Sequence, residues 1–204
     1  MNENLICYLI AYLLGGVPFG LVFGKIFGKV DITKSGSGSI GATNVLRVLK
    51  QENPKLAKKI AVLTVAADAL KGVAPILIAR ACGIDESVLW MMATLSVVGH
   101  CFSPFLKFEG GKGIATGAGV IACFLPLEIA VALATWFIVG KTLKISSVAS
   151  LAALGALIAA SFILHPDMSG IHSHAPLLII AFIVVYKHAP NIKRLIVGEE
   201  KKVI

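Results

Sequence analysis

The sequence predicts an all-α, polytopic integral membrane protein of about seven transmembrane helices, organised as one domain over residues 1–204. Two observations carry this. The chain is 57% hydrophobic and only 15% charged, with a mean hydropathy of +0.87, whereas soluble domains hold roughly 45–50% apolar residues. The apolar residues also fall into long runs separated by short polar loops, and those loops hold most of the basic residues. The formal charge of +8 then points to anionic lipid and anionic substrates. Nucleic acid is excluded as a partner, because the basic runs lack interleaved aromatics.

In chain order the apolar stretches are 5–27, 57–79, 87–105, 113–125, 127–140, 146–164 and 175–189. The two that flank Pro126 are short. About a dozen helical residues reach roughly 18 Å, against about 30 Å of hydrocarbon, so a single kinked span over 113–140 is the competing reading. Charge separates the two. With a turn at Pro126, one side of the membrane holds 17 Lys and Arg residues and the other only Arg80; with one kinked span the split is 10 against 8. The positive-inside rule therefore predicts seven spans, an outer N-terminus and a cytoplasmic C-terminus. The first stretch reads as a reverse signal-anchor, since no charged n-region precedes it and no cleavage site is evident. No internal repeat or low-complexity tract is visible.

This topology places every polar cluster that can carry chemistry on the cytoplasmic face. Ser35 to Arg47 reads SGSGSIGATNVLR. Its small residues let backbone N–H groups approach an anion, its hydroxyls and the Asn44 amide add donors, and Arg47 supplies a planar charged fork. Phe108 to Thr116 reads FEGGKGIAT and carries Lys112 among Gly110, Gly111 and Gly113. Neither loop is a nucleotide motif. Gly36, Gly38 and Gly41 spell G-x-G-x-x-G without a preceding strand, and a Walker motif would need glycine at Leu106 and Ser or Thr at Gly113.

The remaining polar residues have less distinctive settings. Asp68 and Lys71 lie three apart inside an apolar span, where charge is costly unless paired, so a structural ion pair and a substrate-facing site both stay open. His188 and Asn191 are also three apart, at the cytoplasmic end of the last span. Ser147 and Ser150 read either as helix caps or, for Ser147, as a substrate contact, and Glu199 as a brace for the tail. Cys7, Cys82, Cys101 and Cys123 are scattered without a C-x-x-C pair and read as packing residues. His165, Asp167, His172 and His174 gather in the outer loop with spacing too irregular for a metal site, so no metal is expected.

Taken in order, SGSGSIGATNVLR, DALKG at Asp68–Gly72, GHCFSPFLKFEGGKGIATGAG at Gly99–Gly119, SVAS at Ser147–Ser150 and HAPNIKRLIVGEE at His188–Glu200 resemble the bacterial acyl-phosphate:glycerol-3-phosphate acyltransferases, the PlsY family. The first motif departs from the commoner form at Ser39 and Ile40, where Asn and Pro are frequent, and the last has Ala189-Pro190 where a more polar pair is usual. The resemblance implies transfer of a fatty acyl group from acyl phosphate to the 1-hydroxyl of sn-glycerol 3-phosphate. The products are lysophosphatidic acid and phosphate, and the reaction takes place without a cofactor at the cytoplasmic face of the bacterial inner membrane, in contact with membrane lipid. It implies catalytic roles for Ser37, Asn44, Arg47, Lys112, His188 and Asn191. Substrate-binding roles follow for Ser35, Gly36, Gly38, Ser39, Gly41, Ala42, Thr43, Gly110, Gly111, Gly113, Thr116, Ser147 and Lys193.

The mechanism is bounded by what the chain lacks. No histidine is followed five positions later by aspartate, so the histidine–aspartate dyad of the other large class of glycerolipid acyltransferases is missing. Acyl phosphate is already an activated anhydride, so positioning and charge stabilisation are expected to carry most of the acceleration. A donor phosphate oxygen is the preferred acceptor of the hydroxyl proton, with Ser37, Asn44 and backbone N–H groups around the carbonyl and phosphate. His188 as general base is the alternative. Broken helices near Pro126 together with Asp68 and Lys71 also suit a small-anion transporter. The crowding of polar groups on one face favours the enzyme. A CDP-alcohol phosphotransferase would need an aspartate-rich metal motif that Asp31, Asp68, Asp85 and Asp167 are too dispersed to form.

Overall fold

Val17 and Pro18 break the first apolar stretch into α1 (Glu3–Gly16) and α2 (Phe19–Gly28) in a computed structural model that describes residues 2–168 and 170–202. Proline cannot continue a helix ladder, and at the pause the Val17 carbonyl accepts both from the Phe19 N–H at 3.1 Å and from Lys71 Nζ at 2.7 Å. The other helices are α3 (Ala42–Leu49), α4 (Pro54–Ala81), α5 (Glu86–Cys101), α6 (Ile114–Ala122), α7 (Pro126–Leu143), α8 (Ser146–Leu164), α9 (Ala175–Lys187) and α10 (Ala189–Ile196). No strand occurs among the described residues. Start signals match those expected for helices: Asn53 caps α4 by accepting from the Leu56 N–H at 3.0 Å, and prolines open α4, α7 and α9 in their first turns.

All seven predicted apolar stretches are helical, but they differ in reach. Five segments are long and apolar enough to cross a membrane, and a sixth joins them if α9 and α10, bent by 53° at His188, count as one span. The stretch 113–125 is the exception, because α6 has only 9 residues, or about 14 Å of helix. It packs along the second half of α4, from Asp68, whose carbonyl accepts from Thr116 Oγ1 at 2.8 Å, to Arg80, whose Nη1 donates to the Cys123 carbonyl at 2.8 Å. Gly72 and Gly119 permit the close approach, since a Cβ on Gly72 would stand 2.5 Å from Val120 and one on Gly119 2.9 Å from the Ala69 carbonyl. α6 ends beside Arg80, whereas α7 starts with Glu128 paired to His165 and leads to the start of α8, which meets Thr43 at the other end, so Pro126 marks a turn and not a kink in one long helix.

Two apolar clusters set the shape. The larger joins α4, α5, α6, α7, α8 and α9 through residues such as Ile76, Trp90, Val97, Ile121, Ile129, Leu157 and Ile180. The smaller, of Ile32, Ile40, Val45, Leu49, Ala57 and Ile60, pins the Ser35–Arg47 loop and the amphipathic α3 onto the start of α4. At the end of the molecule away from that loop, His165 pairs with the fully buried Glu128 of α7, and His172 pairs separately with Asp167. Ser169 lies outside the described residues.

Candidate active site

Asn44 is the knot of the first loop. It is 1% exposed, and its Nδ2 donates to the carbonyls of Ile32 at 2.9 Å and Ser35 at 3.1 Å, while Oδ1 accepts from the Ser37 N–H at 2.8 Å. Both amide hydrogens are therefore spent inside the loop. The side chain shapes the loop and also lines the cavity described below. Gly36 is obligatory beneath it, with φ at +65° and room for no Cβ, which would fall 2.3 Å from Asn44 Oδ1. Thr43 on the first turn of α3 meets Ser146 at the start of α8 at 3.2 Å. Arg47 follows one turn after Thr43, and among the described residues it forms no ion pair.

The second loop brings in Lys112, half-buried and likewise without an ion pair among the described residues. Burial pulls its pKa down to about 8; Glu200 opposes the shift, and Arg194 and Arg47 add to it. Gly113, at φ +82°, ends the loop and starts α6.

The tail closes the third side. His188 is 2% exposed, and its Nδ1 donates to the Val184 carbonyl at 2.8 Å, which in the neutral ring leaves the lone pair on Nε2. Glu200 is the centre of this region. Its Oε1 accepts from Ser147 Oγ at 2.8 Å and Asn191 Nδ2 at 2.5 Å, and its Oε2 accepts from Arg194 Nε at 2.7 Å. Burial pushes the Glu200 pKa up, but the hydrogen bonds from Asn191, Arg194 and Ser147 outweigh it and hold the carboxyl below the usual range. The bracing role expected of Glu199 thus belongs to Glu200. Glu199 is exposed, because the turn at Gly198 directs its neighbour inward.

These segments enclose a cavity of about 330 Å³. Ser37, Ser39, Gly41, Ala42, Thr43, Asn44, Arg47, Lys112, Gly113, Ser147, His188 and Asn191 line its polar end. Ile121, Ile129, Leu133, Trp136, Leu154, Leu157 and Ile180 are among the apolar residues of the other. A second cavity of about 820 Å³ backs onto the first through Ser37, Ser39, Lys112 and Asn191, and it also takes in Gly38, Gly110 and Arg194.

Five expected substrate-binding residues line neither cavity: Ser35, Gly36, Gly111, Thr116 and Lys193. Ser35 and Gly36 serve the Asn44 knot, Gly111 packs on His100, Thr116 is fully buried against α4, and Lys193 is exposed on the outer face of α10. Conversely, His100, Ser146 and Glu200 line the first cavity without having been expected there, and so does Asp68, for which the sequence left a substrate-facing site open. Asp68 carried a signal, a charge in an apolar run; the others follow from packing between distant segments. Among the described residues, no group of three or more His, Cys, Asp or Glu converges as metal ligands would.

Fold and site together define an all-helical integral membrane protein whose cavity joins a polar end carrying Arg47 and Lys112 to an apolar groove. The chain belongs to the glycerol-3-phosphate acyltransferase family, whose model matches residues 5–198. The glycerol-3-phosphate acyltransferase of Campylobacter concisus (strain 13826) is 67% identical over 202 residues, which is 99% of this chain and 100% of that protein. That of Campylobacter lari is 65% identical, with the same coverage of both chains. Among solved structures, PlsY, an integral membrane glycerol 3-phosphate acyltransferase, matches in its glycerol 3-phosphate form with a TM-score of 0.87 and 35% identity, covering 98% of this chain and 96% of that one. Its lysophosphatidic acid form matches with a TM-score of 0.84 and 34% identity, covering 98% and 95%.

Proposed function

We propose that the chain transfers a fatty acyl group from acyl phosphate to the 1-hydroxyl of sn-glycerol 3-phosphate, releasing lysophosphatidic acid and phosphate, at the cytoplasmic face of the bacterial inner membrane. The observation that carries this reading is a single cavity that joins two cations without ion-pair partners among the described residues, Arg47 and Lys112, to an apolar groove between α4, α6, α7, α8 and α9. Phosphate and acyl chain are the two halves of the donor. The crystal forms of the related enzyme with glycerol 3-phosphate and with lysophosphatidic acid support the acceptor and product.

In this reading Arg47 and Lys112 hold substrate phosphate by charge-assisted contacts, and Ser37 with the loop N–H groups faces the carbonyl and the leaving phosphate. Asn191 Oδ1, buried and without a hydrogen-bond partner among the described residues, is an acceptor for a substrate hydroxyl. The acceptor oxygen bonds to the acyl carbon, the carbon–oxygen bond to phosphate breaks, and the hydroxyl proton passes to a phosphate oxygen of the donor. His188 orients a substrate through Nε2.

The test offers purified protein in detergent with acyl phosphate, acyl-CoA and acyl-carrier protein as separate donors, scoring lysophosphatidic acid. Turnover is expected with acyl phosphate alone, because a glycine loop and two cations grip a compact phosphate and leave no surface for a nucleotide or carrier protein. Equal turnover with acyl-CoA would sink the donor assignment.

A further inference from the structure

Asp68, Lys71 and His100 form a charged cluster inside the helical bundle, with each side chain 3% exposed. Lys71 Nζ lies 2.8 Å from Asp68 Oδ1, 2.9 Å from His100 Nδ1 and 2.7 Å from the Val17 carbonyl at the α1–α2 break. Burying three such groups is costly, and replacing them by apolar residues would often be neutral or stabilising, so packing alone does not account for them.

What the cluster touches gives it a task. The His100 carbonyl accepts from the Gly111 N–H at 2.9 Å, and the adjacent Cys101 carbonyl accepts from the Gly110 N–H at 3.1 Å. The ring itself presses on the loop, since a Cβ on Gly111 would lie 2.1 Å from His100 Nε2. Just past the loop, Thr116 Oγ1 donates to the Asp68 carbonyl at 2.8 Å. The Lys71 ammonium donates to Nδ1, so the neutral ring carries its own proton on Nε2 and is fixed in one tautomer and one orientation.

We propose that Asp68, Lys71 and His100 are positioning residues that seat the Gly110–Gly113 loop, and with it Lys112, against the floor of the cavity. The cluster links the α1–α2 break, α4, α5 and the start of α6 at the point where the loop dips into the bundle. Lys112 then keeps its place although its loop has only glycines on either side. This rests on the substrate-binding role given to Lys112 above.

The test is hydrogen exchange by mass spectrometry on the purified protein without substrate, together with kcat/KM, for Asp68→Asn/Lys71→Met. Removing both charges at once avoids stranding one of them. The expected result is faster exchange confined to residues 108–116, with α7 and α8 unchanged, and a fall in kcat/KM of about ten- to a hundredfold, the scale of a small misplacement of a substrate-holding group. Unchanged exchange at 108–116 would overturn the proposal whatever the activity, and so would equal acceleration in every helix, which would mark the cluster as a general brace. His100→Gln, which drops the Nδ1 acceptor for Lys71 but keeps a polar group near the loop, is read by the same criteria. It decides the matter if the double variant does not insert. The exchange readout is independent of the chemistry. Wild-type protein without acyltransferase activity would refute the proposed function and leave the positioning result standing.

Discussion

At the residue scale, Lys112 makes the site sensitive to alkaline pH. With its pKa held at about 8, the ammonium is charged below that value and neutral above it. The contact to substrate phosphate is therefore present at neutral pH and lost as pH rises through 8, so KM for the phosphate it holds should climb between pH 8 and 9. Lys112→Arg, charged throughout, should abolish that limb, whereas Lys112→Ala should lower kcat/KM at neutral pH by the loss of a charge-assisted contact, about 1.5–3 kcal/mol. An alkaline limb that persists in the arginine variant would assign it to another group. His188 poses a different question. If the donor phosphate takes the proton, His188→Ala raises KM for at least one substrate and keeps any acid limb of kcat, because phosphate itself titrates near pH 6. A variant that binds both substrates normally but loses kcat together with its pH dependence would make His188 the base.

At the element scale, the tail matters as much as the loops. α10 and the residues after it are joined to the start of α8 through Glu200, whose carboxylate collects Ser147, Asn191 and Arg194. Because its pKa is depressed, this brace is fully present above the ordinary carboxylate range and is lost as pH falls through the lowered value. Glu200→Gln should destabilise the protein by about 1.5–3 kcal/mol at neutral pH. The difference from wild type should shrink as both are acidified, as followed by thermal unfolding in detergent. A constant difference down to strongly acidic pH would mean that the carboxylate charge contributes nothing. The short α6 belongs to this scale as well. Its hydropathy matched that of a span, but its first turn, at Thr116, meets Asp68 part of the way along α4, and only packing against α4 reveals that.

At the scale of the whole molecule, the charge distribution makes a topological prediction. Arg80 sits at the end away from the site, tied to the Cys123 carbonyl and 3.3 Å from Glu86, while Arg47 and Lys112 line the cavity at the other end. With Cys7, Cys82, Cys101 and Cys123 first replaced by serine or alanine, since Cys82 is exposed near Arg80, a membrane-impermeant thiol reagent should reach a cysteine introduced at Asp167 from outside intact cells, and one introduced at Gln51 only after permeabilisation. The reverse pattern would turn the molecule over and place the site on the outer face.

The all-helical membrane class, the turn at Pro126, the two glycine-rich loops and the nearness of His188 and Asn191, three positions apart, were all readable from the chain alone. Each depends on local hydropathy, on proline and glycine stereochemistry or on residues a few positions apart, and such signals survive in one dimension. What the tertiary structure decided is which side chains meet. Glu200 reaches Ser147 across 53 residues and His100 meets Lys71 across 29. Asn44 turns its amide inward to Ile32 and Ser35. No periodicity encodes these meetings, because they follow from how close helices such as α4 and α6 can pack, and that closeness is set jointly by small residues on both partners.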